Sequence, residues 1–451
     1  MDYNLLIAVG VGIVSLLFMI LKLRIQAFIA LLIVCILVGI IAGLAPEIIM
    51  NSIKNGMGGT LGFVATIVGL GALFGAFLEN SGGAQGLANY ILRLTGEKNA
   101  SWALMVTGFI IAIPVFFDVA FIILVPIIYA IARKTKKSLL LYAIPLLAGL
   151  AITHSFIPPT PGPVAVADIL GANLGWVIIF GFVTGVPAAI ISGPLLAKYL
   201  SKKIHLLVPE NNNSLAPINN TSTDTPHPLG IIAIITFPIA LIVLKTILLG
   251  SWFKNVDFPD LFVYVLKLLG HPFSALIIAN LIAWYFLGIK RGTTKKRLLE
   301  IAAKSFQPAG AIILLTGAGG AFKQILVDTK SGELLAASLQ SSYVHPLLFA
   351  FIVAGLIRVL QGSATTAMIA AAGITSPIIN TNDFAPPQIA LFVIAIASGA
   401  TILSHINDSG FWLVGQYLEM NEKQTFQTWS VMTTLIAVVG IIMSMLLWTF
   451  F

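Results

Sequence analysis

The sequence predicts an all-α polytopic membrane protein made of two inverted-topology repeats with re-entrant hairpins and broken helices. Three observations carry that prediction. Of 451 residues, 58% are hydrophobic and only 9% charged, far below the roughly 25% charge of a soluble domain. Apolar runs long enough to cross a bilayer core, which takes about 20 residues as a helix, recur along the chain. The two halves also match each other at a separation of about 250 residues. A transmembrane barrel would alternate apolar and polar residues over about ten positions, and no such alternation is seen.

Taken in order, the apolar segments lie at about 4–21, 25–44, 60–78, 101–132, 139–157, 176–197, 229–250, 261–288, 303–327, 344–379, 388–406 and 428–451. Met1–Leu21 has neither a basic leader nor a small-residue cleavage site, so it reads as a retained first helix. Segments 101–132 and 344–379 are too long for one span, and each carries polar residues near its middle. Basic residues decide how they run, because cytoplasmic loops collect Lys and Arg. With the Lys22–Arg24 loop in the cytoplasm and both long segments folded back, Arg93, Lys98, Arg133–Lys137, Lys198, Lys202, Lys203, Lys290–Arg297, Lys304 and Lys423 are cytoplasmic. Only Lys54, Lys254, Lys330 and the span-end Lys245 and Lys267 remain outside. Both termini are then extracytoplasmic, in a multi-pass protein of a bacterial inner membrane.

A polar stretch rich in Asn, Ser, Thr and Pro, 201–228, separates a first half (1–200) from a second (229–451) and reads as a flexible cytoplasmic linker. The repeats span about 60–197 and 303–451. Gly71–Phe74 and Leu78 answer to Gly319–Phe322 and Leu326, and Gly149–His154 answers to Gly399–His405. The segment with Asp118 and Pro126 answers to that with Thr366 and Pro377. Oppositely oriented repeats are a construction typical of secondary transporters.

Polar groups concentrate in four places. Pro114–Asp118, including Phe117, forms the first hairpin tip; an intramembrane acid is a functional candidate by default, although Asp118 as a plain cap of a helix from Val119 is the structural alternative. Thr153, His154, Ser155, Thr160 and Gly162 lie in Thr153–Pro163, where four prolines and a glycine break the helix and free backbone for a cavity. Gln361, Gly362, Ser363 and Thr365 make the second tip, with small-residue helix packing as the alternative. Arg358, one turn earlier, either meets a carboxylate ligand or neutralises a protein acid. His405, Asn407, Asp408 and Ser409 interrupt the span that ends near 406. Asp118, His154, His405 and Asp408 are the candidates to carry a coupled proton. Asp168 is read as lying beyond its span in a loop.

Other chemistries find little footing. No G-x-x-x-x-G-K-[ST] loop for ATP is present. There is no H-E-x-x-H, and the six His are scattered, so neither metal nor cofactor is expected. Cys35 stands alone mid-span, which rules out a disulfide framework. Ser155 and His154 are neighbours in sequence only, a poor nucleophile–base pair, and an enzyme is not expected. The net charge of +8 follows the loop lysines and does not imply nucleic acid.

Phe116–Val119 followed by Pro126, Thr153–His154 with Pro158–Pro163, Gln361–Thr365 and Ser404–Trp412 together resemble the gluconate permease family over essentially the whole chain. The resemblance implies a proton symporter for gluconate or a related small anionic hydroxy-acid, and a homodimer in lipid. It also implies a fixed scaffold domain beside a transport domain that slides as an elevator. Many gluconate carriers have His where Thr160 stands, which leaves the exact sugar acid open. Alternatives are a sodium-coupled carboxylate or D-serine carrier, a channel and a receptor.

Overall fold

The computed structural model describes residues 3–208, 226–250, 253, 256–329 and 344–451. Most of the 201–228 linker, with Lys254 and Lys330, lies outside the described residues. The elements are α1 (Tyr3–Leu21), α2 (Ala27–Ile41), α3 (Pro46–Asn80), α4 (Gly83–Thr95), α5 (Ala100–Ile111), α6 (Phe117–Thr135), α7 (Leu140–Phe156), α8 (Pro161–Leu170), α9 (Leu174–Ile190) and α10 (Leu196–Lys203). After the linker come α11 (Pro228–Leu248), α12 (Asp260–Leu269), α13 (Pro272–Ala283), α14 (Lys295–Ser305) and α15 (Gln307–Asp328). The chain closes with α16 (Pro346–Gln361), α17 (Ala364–Thr381), α18 (Pro386–Thr401), α19 (Ser409–Tyr417), α20 (Glu422–Thr425) and α21 (Val431–Trp448). Among the described residues the regular structure is all helical, and seven helices are long and apolar enough to cross a membrane. The protein is a multi-pass membrane protein.

Several boundaries differ from the apolar pattern. α3 begins at Pro46, fourteen residues before the apolar run at about 60, because Pro supplies a preset first helical turn there. Segment 261–288 is split at Gly270–His271 into α12 and α13, where His271 Nδ1 accepts from Phe273 N and starts a new helix. Both long segments do divide in two, at 112–116 and at 362–363. Their arms of 12, 19, 16 and 18 residues are about 18 to 28 Å long, short of a hydrocarbon core of about 30 Å.

The two halves pack alike around a pair of buried helices. α5 and α6 both lie on α7; α16 and α17 both lie on α18. The close approach is set by glycine in each case. A β-carbon on Gly149 of α7 would sit 2.3 Å from Met105 O of α5, and one on Gly399 of α18 would sit 2.2 Å from Phe351 O of α16. Either distance is below contact, so only glycine lets these backbones meet. α9 and α21 close over α7 and α18, with Gly181 against Phe156 O and Gly440 against the Ser398 side chain. A π turn adjoins each of these helices, at opposite ends: Ile191–Leu195 follows α9 and Phe426–Ser430 precedes α21. α3 and α15 form the most extensive remaining helix pair.

Asp168 is not in a loop. It lies inside α8, where its carboxylate accepts from the Thr60 hydroxyl of α3 and faces the Lys323 ammonium of α15. Lys323 and Asp168, both half-buried, thus offset each other's charge between α15 and α8.

Candidate functional site

Both interrupted helices, α7–α8 and α18–α19, leave backbone without helical partners, and the fold satisfies it locally. At the first break, Ile157 N donates to Thr153 O at 3.0 Å and the Thr160 hydroxyl donates to Ile157 O at 2.6 Å. The Pro158–Pro159 bond there is cis. At the second, Ser404 N donates to Thr433 Oγ1 at 3.2 Å, and the Ser430 hydroxyl donates to Ser404 O. The π turn ahead of α21 therefore serves the break of α18, and it also points Trp429 inward, where its Nε1 donates to Ser404 Oγ at 2.6 Å.

Between the two tips and the two breaks lies a cavity of about 650 Å³, within the usual range for small-molecule sites. It brings together Phe117, Asp118, His154, Ser155, Gln361, Gly362, Ser363, Thr365, Asn407, Asp408 and Ser409. Three helix N-termini meet there: α6 at Phe117, α17 at Ala364 and α19 at Ser409. Ser363 caps α17 by accepting from Thr366 N at 3.3 Å, and Asp408 caps α19 by accepting from Gly410 N at 3.1 Å. α6 has no side-chain cap. Asp118 is its second residue, so its carboxylate is not a helix cap but an exposed group on the cavity wall.

Arg358 is the charged residue that the sequence left undecided. It is 4% exposed, and its Nη2 donates to Asp408 Oδ2, which also accepts from the Ser404 hydroxyl. Nε and Nη1 of Arg358 have no hydrogen-bond partner among the described residues, and the same holds for His154 Nδ1 and Gln361 Oε1. Buried polar atoms normally find partners; Ser101, Thr107, Thr184 and Asn280, away from this cavity, also carry an unpartnered atom among the described residues.

Four sequence candidates lie elsewhere. The Thr153 hydroxyl donates to Phe109 O at 2.8 Å and ties α7 to α5. Thr160 faces a separate small cavity near Val68 and Pro114. Gly162 packs against Met368 of α17. His405 Nε2 is 2.8 Å from Val359 O, and its ring stacks on Phe426. Conversely, Ile312 of α15, Thr401, Trp429 and Thr433 line the cavity, although no sequence pattern distinguished them from ordinary span residues.

A chamber lined by helix ends and polar side chains thus lies inside an apolar membrane bundle. The chain belongs to the GntP family of permeases, whose family model matches residues 4–450. It is 37% identical over 449 residues to the gluconate permease of Pseudomonas aeruginosa, covering 99% of this chain and 98% of that one. It is 35% identical over 437 residues to the Gnt-II system L-idonate transporter of Escherichia coli, with 97% of each chain covered. The fold is that of the YdaH transporter of Alcanivorax borkumensis, with a TM-score of 0.66 at 14% identity over 94% of this chain and 98% of that one.

Proposed function

We propose that this protein is a secondary active transporter of the bacterial inner membrane that imports gluconate or a closely related sugar acid together with protons. The observation that carries the reading is the meeting of three helix N-termini, one of them uncapped, on a single chamber that also contains Arg358. Helix N-termini hold partial positive charge and free N–H donors, so an anion is the favoured guest. Thr365, Ser155, Asn407 and Ser409 line the same chamber and would bind the hydroxyls of the guest. Relatives named for gluconate and L-idonate support a polyhydroxylated carboxylate.

The charges in the chamber support the proton-coupled reading. Asp408 is neutralised by Arg358, whereas Asp118 faces the same space without such a partner. A bound carboxylate is repelled by an ionised Asp118, and a proton on Asp118 removes that repulsion. Proton and anion then favour each other's binding by the same free energy. His154, His405 and Asp408 are the other carriers considered. Alternating access would arise from two oppositely oriented repeats, in a dimer whose transport domain slides past a scaffold, with both chain termini outside the cell.

The test is uptake and counterflow in proteoliposomes with labelled gluconate, L-idonate, fructuronate, D-serine and citrate. Saturable uptake of a sugar acid that rises as external pH falls and is abolished by an uncoupler is expected. Accumulation driven by sodium in the presence of uncoupler would overturn the proton assignment, and citrate or D-serine as the preferred substrate would overturn the sugar-acid assignment.

A further inference from the structure

A second cavity, of about 550 Å³, opens between the start of α11 and the end of α13, well away from the chamber above. Its floor is apolar: Ile234 and Phe237 on one wall, Ile282 and Phe286 on the other. Its mouth is cationic, with Lys290 and Arg291 following the π turn Trp284–Gly288. Lys290 Nζ lies 5.3 Å from the centre of the Phe286 ring, which keeps this exposed ammonium beside the entrance. From Pro228 to Phe237 the groove runs about 14 Å along α11 at the helical rise, which is the depth of about one leaflet of a 30 Å core.

We propose that this cleft holds one anionic phospholipid of the cytoplasmic leaflet, with its phosphodiester at Lys290 and Arg291 and one acyl chain along Ile234, Phe237 and Phe286. Charge and depth together select this occupant. A small soluble anion has no use for 14 Å of apolar floor, and a neutral lipid has none for the paired cations. The basic stretch Lys290–Arg297 belongs to the side of the membrane where anionic lipid and positive loops meet. Gly230 leaves the groove open: nothing lies within 4 Å of the position its β-carbon would take.

Native mass spectrometry of the purified protein, titrated with phosphatidylglycerol, phosphatidylethanolamine and phosphatidylcholine of matched chains, tests this. Wild type is expected to retain phosphatidylglycerol preferentially, by about fivefold per cation engaged. Lys290→Gln with Arg291→Gln should bring the three lipids to parity. Gly230→Phe should lower binding of all of them without lowering the lipid-free unfolding temperature. Equal retention of the three lipids by wild type, or an unchanged preference in the double glutamine variant, overturns the proposal. So does displacement of phosphatidylglycerol by inorganic phosphate, or a change of oligomeric mass in Gly230→Phe, which would make a second copy of the chain the occupant.

Discussion

Arg358 and Asp408, fifty residues apart in sequence, form an ion pair at the wall of the central chamber, joining the end of α16 to the start of α19. Both side chains are largely removed from water, at 4% and 14% exposure. Removing one partner leaves the other charge stranded, at a cost of about 3–5 kcal/mol. Arg358→Gln and Asp408→Asn are each expected to lower the thermal unfolding temperature in detergent, and the double variant should lose less than the sum. Arg358→Lys keeps the charge without the planar fork and should raise the KM for uptake about tenfold.

Asp118 separates stability from coupling. Its carboxylate neither caps α6 nor pairs with Arg358, so Asp118→Asn should change stability by less than about 0.5 kcal/mol. Concentrative uptake driven by a pH gradient should be lost, while substrate exchange in counterflow persists. Loss of both activities with a normal unfolding temperature would move the proton to another group.

Gly149 and Gly399 occupy corresponding places in the two halves and should fail alike. Gly149→Ala and Gly399→Ala each force a methyl group against a backbone carbonyl at 2.3 and 2.2 Å, an overpacking cost of about 1–3 kcal/mol. Gly62→Ala, with open space at the same point, is the control. Thermal unfolding of the three variants is the measurement, and equal behaviour of all three would contradict the packing seen here.

Thr153 and Ser155, two residues apart, differ in what they face. Thr153→Val removes the bond to Phe109 O and should cost about 1 kcal/mol in stability with KM unchanged. Ser155→Ala should raise KM about three- to tenfold with little effect on unfolding. Uptake kinetics beside melting curves separate the two.

The membrane fold, the two divided segments and both breaks were legible because each rests on a local rule. Segments 101–132 and 344–379 are too long for one span and carry polar residues near their middle, and Pro158–Pro163 could not continue a helix. The chamber was legible only in part. Asp118, His154 and Gln361 follow from the rule that polar groups at membrane depth need a reason. That rule does not say which way a polar group points, and Thr153 and Thr160 spend their hydroxyls on nearby carbonyls, while His405 turns to Val359 O. Trp429 reaches the chamber because a π turn rotates it inward, and no residue-level signal marks that rotation. The Arg358–Asp408 pair depends on how α16 meets α19, a tertiary fact with no trace in spacing.

Val359 O, near the end of α16, is within 2.8 Å of His405 Nε2 and accepts from Asn407 Nδ2 at 2.9 Å. Together with the neighbouring Arg358–Asp408 pair, these bonds fasten the second tip to the residues between α18 and α19. Swinging that hairpin aside like a door would tear all three at once. The second tip and the connection between α18 and α19 are therefore tied into one mechanical unit by bonds that a rotation about Gly362 alone would have to break.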